Sequence, residues 1–340
     1  MASHRIAGSG FGYPVNCDSG LFVRAALDPR QLVATDHPYQ SRPLYFVLPA
    51  AVGAVAGENL VFKTYQALNI ATLAFAVWLL GGLVDGPRRW WLLVVPLFLL
   101  NDIVKAFLWT PHSQILNIAT PLVGMWLLLA LSPERRLRWS LVAGLAVGLG
   151  ILVYGTVTPV AAAVLLLMAW QRRSHGVRHG AAFAAMASLP PLAWVAAVIG
   201  VRGRFYSHET TMYRQIVWLA DADLAEIASN TVAWMASLWG AVALSVLIAG
   251  IGVFLAWRQG WRPLADVVGP ATALTVAIAG FTWSLGFYPQ RLTWAVVVPL
   301  LVVTVRALSS VALPRWQAVA YGGVVAAWSV RQVLAAGPWA

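Results

Sequence analysis

The chain has 340 residues, 60% of them apolar and 10% charged, with a formal net charge of +11. An ordinary soluble domain carries about 25% charged residues, so that class is excluded. The positive charge is then no sign of nucleic acid, because Lys and Arg of a membrane protein gather on the cytoplasmic side. Cys17 is the one cysteine, leaving no internal disulfide and no thiolate metal cluster.

The opening MASHRIAGSGFGYPV lacks the apolar stretch of a secretory signal. Its GSGFG (8–12) has dinucleotide-like glycines but no preceding strand, so it reads as a flexible segment. Residues 1–66 are predicted to form an extracytoplasmic first loop. Within it, LYFVLPAAVGAVAG (44–57) with its central Pro49 is short for a crossing and suits a re-entrant or interfacial helix. From residue 67, near-uncharged runs of about 18 residues or more recur, long enough for a hydrocarbon layer of about 30 Å. The predicted spans are 67–84, 90–108, 114–131, 139–156, 157–170, 181–200, 232–257, 266–286, 292–305 and 317–337. Tyr154-Gly155 and Pro159 break the 139–170 stretch into a long and a short piece. The expected fold is all-α: a polytopic transmembrane helical bundle over 67–337 of about 10 spans, with a second outer segment at 201–231.

Orientation follows from the loops. One alternate set carries Arg88, Arg89, Arg135, Arg136, Arg138, Arg172, Arg173, Arg178, Arg258, Arg262, Arg306 and Arg315; the short loops between them carry Arg291 alone. The first set is assigned to the cytoplasm. Residues 1–66 and 201–231 then face outward and hold Asp18, Asp28, Asp36, Glu58, Glu209, Asp221, Asp223 and Glu226, eight of the twelve acids. Because no helix before residue 44 is able to insert, this arrangement predicts a further helix upstream.

The order of features has a recognisable shape. An outer acid in CDSGLFVRAAL precedes a loop ending in SRPLYFVLPA and a helix closed by arginines. Then come TPHSQILNIATPLVGMWLLLALSPERRLRWSLVAGLAVGLGILV, a long outer loop, and YPQRLTWAVVVPLL. This layout resembles the GT-C superfamily of integral-membrane glycosyltransferases, the polyprenyl-phosphate-sugar-dependent kind that includes protein mannosyltransferases and lipid A aminoarabinose transferases. The resemblance covers most of the chain in layout, with loose local motifs. It implies an inverting transfer of a sugar from a polyprenyl-phosphate donor to an acceptor hydroxyl on the extracytoplasmic face of a multi-pass cell-membrane protein.

In that family an acid in the first outer loop is the base for the acceptor hydroxyl, and the matching position is Asp18. A carboxylate that accepts the proton helps a poor alcohol nucleophile attack an anomeric carbon. Without the resemblance, Asp18 reads first as a cap for the helix starting at Gly20 or Leu21; the resemblance sets the two roles level. Ser19 stands where the family often has a second acid, and Phe22 where Tyr is common. Asp36 and His37 are substrate contacts or a turn before Pro38. Arg42 has the fork of donors that phosphate takes; its plainer role is an interfacial arginine with its head in water. Arg291, at an outer helix entrance, and Arg204, beside His208, Glu209, Tyr213 and Arg214, are the other expected phosphate contacts. His112 and Gln114, with Asn117, read as sugar-hydroxyl contacts or as helix-end bonding in which Ser113 caps. Residues 216–227 suggest an interfacial helix over the site.

Other features have plainer readings. Asp102 and Lys105 share one helical face and are expected to pair. Gly144 and Gly148 read as close helix packing, and Arg331 as an arginine reaching for the interface. His175 and His179 lack a third ligand. No metal or other cofactor is expected, the lipid-linked sugar being a substrate. Partners are the polyprenyl-phosphate sugar, the lipid bilayer, and an acceptor glycan, lipid or protein. Two alternatives remain: a transporter or flippase for a lipid or small solute, for which no repeat of halves is visible, and a non-catalytic scaffold of the same fold.

Overall fold

The computed structural model describes residues 19–84, 95–130, 137–170, 176–212, 214–262, 265–285 and 289–335. Asp18, GSGFG, His175, Tyr213 and six of the twelve loop arginines fall outside them, as do the side chains of Asp102 and Arg291. All regular structure among the described residues is helical. The first part comprises α1 (Ser19–Leu27), α2 (Gln31–Ala34), α3 (Val47–Ala56) and α4 (Glu58–Gly82). Two short helices follow, α5 (Val95–Leu99) and α6 (Asp102–Phe107), then α7 (Leu116–Ala130), α8 (Leu137–Ile151), α9 (Thr158–Trp170) and α10 (Gly176–Arg202). The remainder is α11 (His208–Thr211), α12 (Leu224–Arg258), α13 (Ala265–Leu285), α14 (Pro289–Ser309) and α15 (Arg315–Ala335).

Among the described residues, three helices are long and apolar enough to cross a membrane: Glu58–Gly82, Gly176–Arg202 and Val267–Leu285. The two halves of α12, which meet at 63°, make a fourth if counted as one span. In water an apolar helix hides its oily face against the core. Here only 17% of the most apolar window of α10 is buried inside the protein, and Leu189, Leu192 and Ile199 lie exposed on that helix. Such a surface calls for lipid, which fits a membrane protein.

The bundle packs α8 along α10, α14 along α12, and α13 against α9 and α14, with α7 bridging α14 and α4. The α8–α10 contact is the closest. A Cβ on Gly144 would lie 2.5 Å from the Phe183 carbonyl oxygen, and one on Gly148 2.6 Å from that of Ala187. Only glycine admits backbone at that range, as the Gly144/Gly148 spacing led one to expect.

Several boundaries differ from those predicted. The first long helix starts at Glu58, nine positions ahead of the predicted span, because Gly57 (φ 78°) turns the chain back so that α3 lies along α4. At a rise of about 1.5 Å per residue, α3 covers about half a bilayer's hydrocarbon. Residues 95–107 are two pieces rather than one continuous helix. The buried Asn101 amide donates to the carbonyls of Leu97 and Phe98 while its oxygen accepts from Val104 N–H, so one side chain ends α5 and starts α6. The α8/α9 break falls where Tyr154-Gly155 and Pro159 placed it. Residues 216–227 do not make a separate helix. A 3-10 turn, Val217–Ala220, leads into α12, whose start is capped by the Asp223 carboxylate accepting from Glu226 N–H.

A second, aromatic cluster joins the first segment to α4. Phe22 is its hub, stacked on Tyr39 (4.3 Å between centroids) and Phe46 (5.6 Å) and edge-on to Tyr65 (6.0 Å). Beside it, the buried Asn69 of α4 donates to the carbonyls of Phe107, Leu108 and Thr110. These bonds satisfy the carbonyls where α6 unwinds.

Candidate functional site

The first segment, the α8/α9 break and the segment after α10 converge on one polar cavity of about 390 Å³. Arg42 is its centre. The turn at 39–42 closes by Arg42 N–H to the Tyr39 carbonyl (2.9 Å), Pro43 starts a 3-10 turn, and Leu44 N–H reaches the Leu152 carbonyl at the end of α8 (3.1 Å). Those bonds fix the backbone on both sides of Arg42. Gln40, fully buried, does the same from behind: its amide donates to Leu32 O, its oxygen accepts from Tyr206 N–H, and its carbonyl accepts from Trp194 Nε1.

The Arg42 guanidinium carbon lies 5.3 Å from the Tyr154 ring centroid and 5.8 Å from that of Tyr39. Its Nη2 donates to Glu209 Oε1 at 2.7 Å, and both side chains are about four-fifths buried. Burial works against the Arg42 charge, but Glu209, Tyr154 and Tyr39 outweigh it and hold the proton more firmly than usual. The Arg42 Nε is buried with no hydrogen-bond partner, as are Ser41 Oγ and Thr156 Oγ1. All three residues line the cavity. Buried polar atoms are normally satisfied, so these three orphaned ones lie unsatisfied behind the cavity wall. Among the described residues, Arg42 is the one Arg or Lys lining the cavity, and Glu209 the one carboxylate.

The residues expected from the sequence divide into two groups. Arg42, His112 and Gln114 line the cavity. Tyr154 Oη donates to Gln114 Oε1 at 3.1 Å, and that oxygen also accepts from Asn117 Nδ2. The His112 ring is buried against Phe107 (4.7 Å) and Phe22 (5.1 Å). Ser113, which helix-end bonding would make a cap, has a buried and unpartnered hydroxyl instead.

Asp36, His37 and Arg204 are elsewhere. Asp36 accepts from Arg202 at 2.5 Å and from Arg204 at 2.6 Å, clamping the end of α10 to the first segment. None of the three is among the residues facing the cavity. His37 is buried behind the wall, its Nδ1 accepting from Tyr39 N–H. Burial pushes its pKa below the ordinary value, and Arg24 and His208 add to the effect. Asp18 and the Arg291 side chain lie outside the described residues.

Sequence alone gives Glu209 no role of its own and marks Tyr154 only as part of a helix break. A weak signal existed for the second, an aromatic placed at a helix break. For the first there was none, since its partner lies 167 positions away.

Tyr154 also borders a second space. An apolar groove of about 440 Å³ runs from Tyr154 between α4, α7, α8 and α9, with Phe75, Trp78, Leu116 and Trp126 on its walls. Polar cavity and apolar groove thus share one side chain. Comparison with protein-family models, curated proteins and solved structures finds no match for the chain.

Proposed function

We propose that the protein is a glycosyltransferase of the GT-C kind, moving a sugar from a polyprenyl-phosphate donor to an acceptor hydroxyl on the extracytoplasmic face. The supporting observation is Tyr154, whose side chain lines both a cavity holding a buried arginine and a groove of apolar side chains. A ligand that fits both ends has an anionic head and a long apolar tail. Ligand sites of this kind place a few polar groups in an otherwise apolar pocket.

In this reading the polyprenyl chain lies in the groove past Trp78 and Trp126, and its phosphate meets Arg42. The acceptor oxygen attacks the anomeric carbon. The bond from that carbon to the phosphate oxygen breaks, and its electron pair leaves with the phosphate. The hydroxyl proton passes to a carboxylate, for which Asp18 is the choice that the family resemblance supports. Arg42 stabilises the charge gathering on the leaving phosphate, the kind of fixed electrostatic aid that dominates many enzyme rate enhancements. About ten crossings with the Arg-rich loops in the cytoplasm would put this chemistry outside.

The test uses the purified protein in liposomes with undecaprenyl-phosphate-linked hexoses and pentoses as donors and washed membranes as acceptor. The expected product is free undecaprenyl phosphate with the sugar on an acceptor, read by mass spectrometry. Movement of intact donor across the bilayer, with no bond changed, would replace this reading by transport.

A further inference from the structure

The fork of Arg42 is half used. Nε and Nη2 lie along one edge of the planar guanidinium, the edge that takes two oxygens of a phosphate or carboxylate together. Glu209 Oε1 takes Nη2 at 2.7 Å, while Nε is buried and unpartnered. A phosphate seated on both would gain a charge-assisted bond that Glu209 does not make. It cannot share the edge, because two anions about 4 Å apart in a partly buried place repel strongly.

The segment carrying Glu209 is lightly held. Helix α11 is a single turn whose Ser207 cap is long, at 3.4 Å to Thr210 N–H. Gln215 reaches Ser284 Oγ at 3.4 Å. Arg214 (φ 49°) and Ile216 (φ 57°) both occupy the left-handed region, which is costly for a β-branched residue such as isoleucine. Met212 is exposed. The turn is otherwise tied by Gln215 N–H to the Glu209 carbonyl (3.0 Å) and by Tyr206 Oη to His208 Nδ1 (3.0 Å), so its withdrawal after exchange of the ion pair breaks few bonds.

Resting on the reading of the cavity as a phosphate seat, we propose that Glu209 is its resident counter-anion: the carboxylate holds Arg42 in place until a lipid phosphate displaces it, which frees the Ser207–Met212 turn. Glu209 is then a positioning residue that competes with ligand, and its loss strengthens binding.

Farnesyl phosphate is the probe, titrated into detergent-solubilised full-length wild type, Glu209→Gln and Glu209→Asp, with farnesol as the uncharged control. Glu209→Gln removes the competing charge and is expected to bind farnesyl phosphate about tenfold more tightly, the worth of one charged hydrogen bond. Glu209→Asp keeps the charge and returns towards wild type, which a loss of folding would not produce. Hydrogen exchange at 207–212 is expected to rise when farnesyl phosphate is added to wild type, and to be high already in Glu209→Gln. Equal or weaker binding by Glu209→Gln overturns the proposal, as does failure of both proteins to bind. Wild type that transfers sugar while Glu209→Gln binds no more tightly leaves the transferase reading standing without the exchange. Tighter binding by Glu209→Gln in a protein that transfers no sugar leaves the exchange without the transferase.

Discussion

Arg42 and Tyr154 meet with the guanidinium carbon 5.3 Å from the ring centroid, and the hydroxyl of that ring is held by Gln114 at 3.1 Å. The contact holds the cation against a ring that also lines the apolar groove, so the two residues make separable contributions. Arg42→Ala is expected to lower sugar transfer about 100-fold, the usual loss for a fixed group facing developing charge. Arg42→Lys should recover only part of it, since an ammonium lacks the fork. Tyr154→Phe keeps the ring and should cost little, whereas Tyr154→Ala should cost about 30-fold more, the worth of a desolvated cation–π contact. Initial rates with a saturating undecaprenyl-phosphate donor check the series.

Asp18 carries the proton-transfer role in the proposed reaction. Asp18→Asn, well folded by its melting profile, should lose about 10²- to 10⁴-fold in turnover while binding donor as wild type does. Wild-type turnover in that variant would remove Asp18 from the mechanism.

Helix packing offers a test independent of function. Gly148→Val would push its side chain into the Ala187 carbonyl and the Pro190 ring, 2.6 and 2.8 Å from the added Cβ. Neither is the free end of a side chain. Destabilisation of about 1–3 kcal/mol is expected, seen as a lower midpoint in denaturant titration in detergent. Gly250→Ala, with open space around its Cβ, should leave the midpoint near wild type.

The clamp at Asp36 should matter to stability rather than to transfer. Arg204 is 67% exposed at its side chain, so Arg204→Ala should cost at most about 1 kcal/mol. Asp36→Ala should cost more, because it strips the better buried Arg202 (16% exposed) of its carboxylate and leaves it only the Thr35 carbonyl among the described residues. Transfer rates in both should remain close to wild type.

His37 gives a signed dependence on pH. Burial, then Arg24 and His208, lower its pKa in the folded chain, so below about pH 6.5, where an unfolded histidine protonates, the unfolded state binds more protons. Stability is therefore full above that pH and falls as pH drops through it towards the folded value. Melting at pH 7.5 and 5.5 should differ more for wild type than for His37→Gln.

Much of the helical layout was legible because hydrophobic runs, Pro159 and the Gly144/Gly148 pair act locally. The departures are also local, but they depend on single side chains: Asn101 ends one helix and starts the next, and Gly57 reverses the chain. Neither shows in a hydropathy average. For the site, Arg42, His112 and Gln114 were singled out by chemistry at the outer edge and do line the cavity. Asp36 and Arg204 looked the same in sequence yet bond to each other. What separates the two sets is tertiary pairing over more than a hundred positions, as in Arg42 with Glu209 and Asp36 with Arg204. No periodicity encodes that.

The bonds from Asn69 to the carbonyls of Phe107, Leu108 and Thr110 have an effect on how the site senses ionic strength. Next to that unwound stretch stands His112, whose ring packs on Phe107 and borders the cavity. With an amide satisfying these carbonyls, the stretch needs no solvent of its own, and Arg42, which lines the same cavity as His112, is itself about four-fifths buried. Attraction between the guanidinium and an arriving anion should accordingly weaken less from 50 to 500 mM salt than it would on an open surface, where screening sets in within about 10 Å.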